Sequence, residues 1–209
     1  MKPRSSAQIR GYLIDQLNLA LTRPSMFGGE LSLRILVDHL AYATGEDLLW
    51  EEELRLMVER GACCATMVKG AFRALFEGID EHAPASVYAE FARNRRWLSV
   101  DRTLRIAEYE SLRQGLGTWT VEDRTLGDVV EAFGTPSLWI GGTNPSFGKT
   151  LGYASERVGD PMVFFHLWND FEYDQPILLA VRCGTGPFRE TFTFTPEGRK
   201  RRNTAGAAS

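Results

Sequence analysis

Cysteine, lysine and histidine are scarce in this 209-residue chain, and each shortage excludes something. There are three cysteines, Cys63, Cys64 and Cys183. An odd count with one vicinal pair makes no disulfide framework and fits a reducing compartment. The vicinal pair also lacks the two-residue gap of tetrahedral sulfur ligation, and His39, His82 and His166 stand far apart in sequence. No metal site is expected. Lysine occurs four times against 20 arginines. That bias reads as GC-rich bacterial codon usage, since an arginine-based phosphate site needs its arginines clustered. A net charge of −3 provides no general attraction to nucleic acid. No apolar run approaches the roughly 18 residues of a membrane-spanning helix. The opening MKPRSSAQIR has no apolar core and no small-residue cleavage site, so the expected location is the cytoplasm. Low-complexity tracts, internal repeats and cofactor motifs are missing too, and no cofactor is expected.

What is present reads as two halves. Residues 6–22 place Ile9, Tyr12, Leu13, Leu17, Ala20 and Leu21 near one helical face. Ser5 or Ser6 can cap this helix, and Arg23-Pro24 stops it. A second helix is expected over residues 30–43, with Leu33, Leu36, Val37, Leu40 and Ala41 inward and Gly45 as its stop. Further helices are expected over 48–60, 64–78, 84–92 and 104–113, and over 125–133 with Thr125 as cap. Glu51, Glu52 and Glu53 suit the positive end of the third helix dipole. Consecutive helix positions point in different directions, so the triple reads as a solvated face.

From residue 137 to 195 the punctuation changes. Five apolar runs of strand length are separated by Gly, Pro, Asn and Asp, the pattern of short antiparallel strands. Strands are expected over 138–142, 150–154, 162–168, 177–182 and 191–195. In the third, Val163, Phe165 and Leu167 face one way and Phe164, His166 and Trp168 the other. Both faces are largely apolar, which predicts a central strand covered on both sides. The last strand alternates, with Phe192 and Phe194 inward and Thr191, Thr193 and Thr195 outward. Residues 199–209 read as a disordered tail, basic and then small. The expected fold class is α+β: a mainly helical part (1–134) packed on an antiparallel sheet of about five strands (135–198), in one compact domain.

Candidate chemistry concentrates in the strand half. The loop over residues 141–150 ends in Gly148-Lys149-Thr150 and superficially suggests a phosphate loop. It has five residues between its glycines where that pattern has four, Pro145 removes a donor, and no helix follows. A hairpin is the preferred reading. His166 and Asp170 could act as base and orienter, with Ser146 or Cys183 as nucleophile. A His among Phe165, Leu167 and Trp168 is more often a satisfied core residue. Asp170, Glu172 and Asp174 alternate as a cation site would want, but without a calcium-loop glycine and distal glutamate they read as a solvated loop. Arg93, Arg95 and Arg96 beside Trp97 resemble a single-strand nucleic-acid grip. The surrounding carboxylates favour surface ion pairs instead, and nucleic acid is not the expected partner. Trp139, Phe147 and Trp168 either line a pocket or fill the core, the more common place for strand aromatics.

One segment carries a resemblance. Arg23-Pro24-Ser25-Met26-Phe27-Gly28, followed by an amphipathic helix, resembles the opening of small bacterial immunity-type proteins, which bind and silence a toxin. The likeness covers about six residues plus a helix and brings no catalytic residues with it. It implies a cytoplasmic, non-enzymatic protein whose function is an interface with a protein partner, and acidic loops would suit a basic toxin. The binding residues expected on that reading are Trp139, Asn144, Phe147, Lys149, Trp168, Asp170, Glu172 and Asp174. The alternative is a small hydrolase or transferase using His166, Asp170 and Ser146 with the 141–150 loop. A third reading is a homo-oligomer in which a second copy completes the two-sided sheet.

Overall fold

The strand expected to be apolar on both faces lies at the centre of the sheet. The computed structural model describes residues 5–202, and its five strands run in the order β1-β2-β3-β4-β5, all antiparallel. They are β1 (Leu138–Ile140), β2 (Phe147–Tyr153), β3 (Val163–Asp170), β4 (Ile177–Arg182) and β5 (Phe192–Phe194). Val163, Phe165 and Leu167 enter one core cluster, and Phe164 and Trp168 enter the other. The chain is thus α+β, with helices on both faces of the sheet.

The helices divide between those faces. On one lie α1 (Ser6–Thr22), α2 (Gly29–Thr44), α3 (Asp47–Glu59), α4 (Met67–Arg73) and α5 (His82–Asn94). On the other lie α6 (Ile106–Trp119) and α7 (Leu126–Phe133), which pack Tyr109, Leu112, Leu116 and Val129 on Leu151, Val163 and Phe165. The chain's own helices cover the sheet twice, so it needs no second copy to bury its apolar faces.

Local signals set most element ends. Ser5 and Gln8 form a capping box on α1, and Thr125 and Asp128 form one on α7. Several expectations need correction. Ile9 and Tyr12 are exposed, because α1 buries only a narrow stripe around Leu17, Ala20 and Leu21. The fourth helix is short: Met67 has a φ of 65° and exchanges backbone bonds with Cys64, so the helix cannot begin earlier. The sixth continues to Trp119, beyond the expected 113. Thr195 is buried rather than outward. Its hydroxyl donates to the Leu178 carbonyl and accepts from the Gly198 amide, capping a further helix, α8 (Pro196–Lys200). Residues 199–202 therefore belong to an ordered segment, and 203–209 lie outside the described residues. Gly198 lies directly on β4, where an added Cβ would sit 1.8 Å from the Leu179 carbonyl oxygen.

The segment 23–30 ties three helices together. Pro24 opens a 3-10 turn (Pro24–Phe27), and Gly28 and Gly29 follow with φ of 90° and 68°. A side chain at Gly29 would strike the Glu81 carboxylate, which accepts the Glu30 amide at 3.0 Å. Glu30 itself is buried. Its carboxylate accepts from the amides of Val68 (2.8 Å) and Lys69 (2.7 Å) and from the Tyr88 hydroxyl (2.8 Å). The residue before α4, Thr66, makes no side-chain cap, so Glu30 from α2 caps α4 across the core. Burial pushes the Glu30 carboxyl up, against those three donors.

Two substitutions test this architecture. Glu30→Ala strands buried donors on α4 and Tyr88 and should cost about 3 kcal/mol in urea denaturation, with Glu30→Gln costing less. Gly198→Ala should cost about 3 kcal/mol by forcing α8 off β4, where a surface glycine-to-alanine change in a helix would stabilise.

Candidate functional site

The residues named from sequence gather, in part, at one end of the sheet. There the β1–β2 connection meets the loop after β3. Lys149 organises the first. It is fully buried, and its ammonium donates to the carbonyls of Gly142 (2.7 Å), Asn144 (2.6 Å) and Phe147 (3.3 Å). Burial lowers its pKa. The Asn144 side chain accepts from the Ser146 amide at 3.0 Å, closing an Asx turn. Gly141, at φ 108°, lies too near the Gly148 carbonyl for a side chain to fit without displacement. This is the reverse of a phosphate loop, because the loop turns carbonyls rather than amides inward and its lysine is consumed by them. Lys149 is therefore a scaffold residue, not a contact residue.

The second loop is locked to the first by Asn169. Its amide nitrogen donates to the carbonyls of Pro145 and Tyr173, both at 2.8 Å, and its oxygen accepts from the Tyr173 amide. Phe171 then takes a φ of 59°, a conformation a bulky residue adopts only when its surroundings hold it there. Its ring meets Phe147 edge-on, 5.1 Å between centroids. Both rings are exposed, Phe147 by 47% and Phe171 by 69%. Asp170 pairs across the strands with Phe147 and is exposed, as are Glu172 and Asp174. The turn at Phe171 breaks the strand alternation, so the three carboxylates do not converge. Among the described residues no group of three or more His, Cys, Asp or Glu is placed to hold a metal. Glu172 instead reaches Arg201, the residue that follows α8, at 3.1 Å. Burial raises the Asp80 carboxyl nearby, with Lys69 opposing and Glu81 and Asp170 adding to it.

The remaining named residues lie elsewhere. Trp168 is covered by the Arg201 guanidinium, 3.7 Å above its ring, and Trp139 packs into the core on the α6–α7 side. His166 is fully buried, its ring edge-on to Phe72 of α4. Thr150 Oγ1 lies 3.1 Å from His166 Nδ1 and 2.9 Å from His82 Nδ1. One hydroxyl serves both rings by donating to one nitrogen and accepting from the other. His166 Nε2, against Phe72 and Phe192, has no hydrogen-bond partner among the described residues. Asp170 is at the exposed strand end and Ser146 is in the Asx turn, so the three proposed catalytic residues are not assembled. Burial also raises the Cys183 thiol, which disfavours its nucleophilic form. Within the arginine cluster, Arg93 is structural. Arg93 is buried, donating to the carbonyls of Ser155 and Arg157, and Trp97 is core.

Sequence reading missed His82, which is 84 positions from its neighbour and carried no spacing signal. It missed Asn169 as well, although an Asn at a strand end before an acidic turn is a usable cue. Compared with protein-family models, curated proteins and solved structures, the chain matches none. No helix among the described residues is long and apolar enough to cross a membrane.

The buried histidines set an acid response. Burial, with the Lys149 charge, lowers the His82 pKa to about 3, and burial with the Arg182 and His82 charges lowers His166 well below its usual value. The unfolded chain takes up these protons near pH 6.5, so stability is full above that pH and falls as pH drops toward the folded values. At pH 5 His82 alone should cost about 2 kcal/mol. Urea midpoints at pH 7 and 5 should show the loss, and His82→Asn should remove its share of the difference.

Proposed function

We propose that the chain is a non-enzymatic protein-binding module that takes a basic partner on the strand-end surface around Phe147 and Phe171. The observation that carries this reading is the pair of exposed, mutually packed aromatic rings on two loops held rigid from beneath. Interfaces draw most of their energy from a few such aromatic anchors, and rigid anchors lose little entropy on binding. Asp170, Glu172 and Asp174 are exposed on the loop that carries Phe171, with Glu172 paired to Arg201. They would steer a cationic surface toward the site and pair with it at the rim. Asn144 and Asp170 border the rings, whereas Lys149 and Asn169 hold the loops. Silencing of a basic toxin, the role implied by the resemblance of segment 23–28 to immunity-type proteins, fits this surface. The catalytic alternative is not favoured by a histidine that is sealed, neutral and apart from Asp170 and Ser146.

The test is a pull-down from host lysate with tagged wild type and with the double variant Phe147→Ser, Phe171→Ser. We expect one stoichiometric partner that survives moderate salt with wild type and is lost with the variant. Both rings are exposed, so the variant should keep its unfolding midpoint within about 1 kcal/mol of wild type. A partner retained by the variant, or none captured by wild type, would overturn the proposal.

A further inference from the structure

Helix α2 belongs to an outer layer. α5 packs on β1 and β2, and α2 packs on α5 with α1 and α3 at its flanks. α2 turns Leu33, Val37, Leu40 and Ala41 into the core. Its opposite side carries Leu31, Ile35, Asp38 and Tyr42 at i, i+4, i+7 and i+11, one straight stripe about 17 Å long. Leu31 is 61% exposed, Ile35 45% and Tyr42 82%. The solvent side of a surface helix is ordinarily polar, and here three of its four positions are large and apolar. Met26 and Leu48, just beyond the two ends of α2, are exposed as well.

Two charges are fixed on this face. Arg34 donates through Nε to both oxygens of Asp38, at 3.0 and 3.3 Å, and its guanidinium lies over the buried Trp50 ring. Asp38 also accepts from the Trp50 indole. The two terminal nitrogens of Arg34 make no hydrogen bond among the described residues, and the Asp38 side chain stays half exposed. The face therefore holds one cation and one anion, balanced in a chain of net charge −3. The pattern also has a centre. Leu31 and Tyr42 are equidistant in sequence from the point between residues 36 and 37, and Arg34 and Asp38 are equidistant from residue 36. A two-fold axis there, with α2 antiparallel to its own copy, sets Leu31 against the partner's Tyr42 and Arg34 against the partner's Asp38. It brings the two Ile35 side chains together near the axis.

We infer that the outer face of α2 is a homodimer interface, in which two copies pair α2 against α2, antiparallel, about a two-fold axis at residue 36. An isologous contact demands a self-complementary surface, because each group meets another group of the same face. This face meets that demand in its apolar ends and in its charges together. A strongly basic or acidic partner would find no net charge here to match. Leu31, Ile35 and Tyr42 expose roughly 350 Å² between them, and Met26 and Leu48 extend this to roughly 600 Å². A standard interface buries about 800 Å² per partner, and Arg34 and Asp38 supply polar surface toward that figure. An area at the low end makes the dimer reversible. The inference does not depend on the strand-end surface or its partner.

The test is sedimentation velocity of the full chain from about 1 to about 500 μM. We expect a monomer–dimer equilibrium with a Kd of about 10 μM. Ile35→Glu places two carboxylates near the axis and should leave only monomer, and Ile35→Ala should weaken pairing by a smaller factor. Arg34→Glu sets like charge against the partner's Asp38 and should weaken pairing about tenfold. Val121→Glu, at an exposed apolar position just past α6, should pair as wild type does, and so should the Phe147→Ser, Phe171→Ser variant. Unfolding midpoints measured where each variant is monomeric should match wild type, which separates loss of pairing from loss of fold. A monomer at every concentration would leave the face to a different protein and overturn the inference. A dimer that Ile35→Glu does not break, or an Arg34→Glu variant that pairs as tightly as wild type, would overturn it as well.

Discussion

Everything in this fold follows from β3 being apolar on both faces. Phe164 and Trp168 on one side, and Val163, Phe165 and Leu167 on the other, must all leave water. A sheet with one solvated face cannot accommodate that strand, so the chain supplies helices to both faces. The five helices of residues 6–94 cover one. The other is reached only because the chain crosses over in α6 and α7 before the sheet is laid down. The antiparallel order β1-β2-β3-β4-β5 then follows from short connections between neighbouring strands.

Burying so much sheet also traps polar groups, and several of the charged ones are answered by a specific partner, while His166 Nε2 is left without one among the described residues. Glu30 caps α4, Lys149 is surrounded by three carbonyls, Arg182 meets Glu90, and His82 shares Thr150 with His166. These contacts join elements far apart in sequence. They place α5 on the sheet in one orientation, since sliding it would separate Arg182 from Glu90 and His82 from Thr150 together. A buried polar group without its partner costs more than the bond itself contributes, so the set favours one arrangement over near alternatives.

The same division of labour explains where function can sit. The sheet faces and the histidine network are sealed, so the sheet itself is accessible chiefly at its ends. At one, the loops are stiffened by Lys149 and Asn169 and lift two aromatic rings into water. At the other, α3, α5 and two connections enclose a cleft in which glutamates are paired with arginines.

Some of this was legible in the chain itself. The α+β class, the change from helix to strand near residue 135, the central position of β3 and the hairpin at Lys149 follow from local periodicity and turn chemistry, which act over a few residues. The strand-end residues Asn144, Phe147 and Asp170 could also be named, because turn residues flanking strands must come to the sheet ends. The tertiary structure alone decided which of the named residues meet. It sealed His166 away from Asp170 and Ser146, covered Trp168 with Arg201, and turned Lys149 onto its own loop. It also ordered residues 199–202 as a helix end, where composition suggested a tail, because Gly198 fits against β4. Those outcomes depend on contacts between residues tens of positions apart, and no local pattern encodes which distant side chain will occupy a given space.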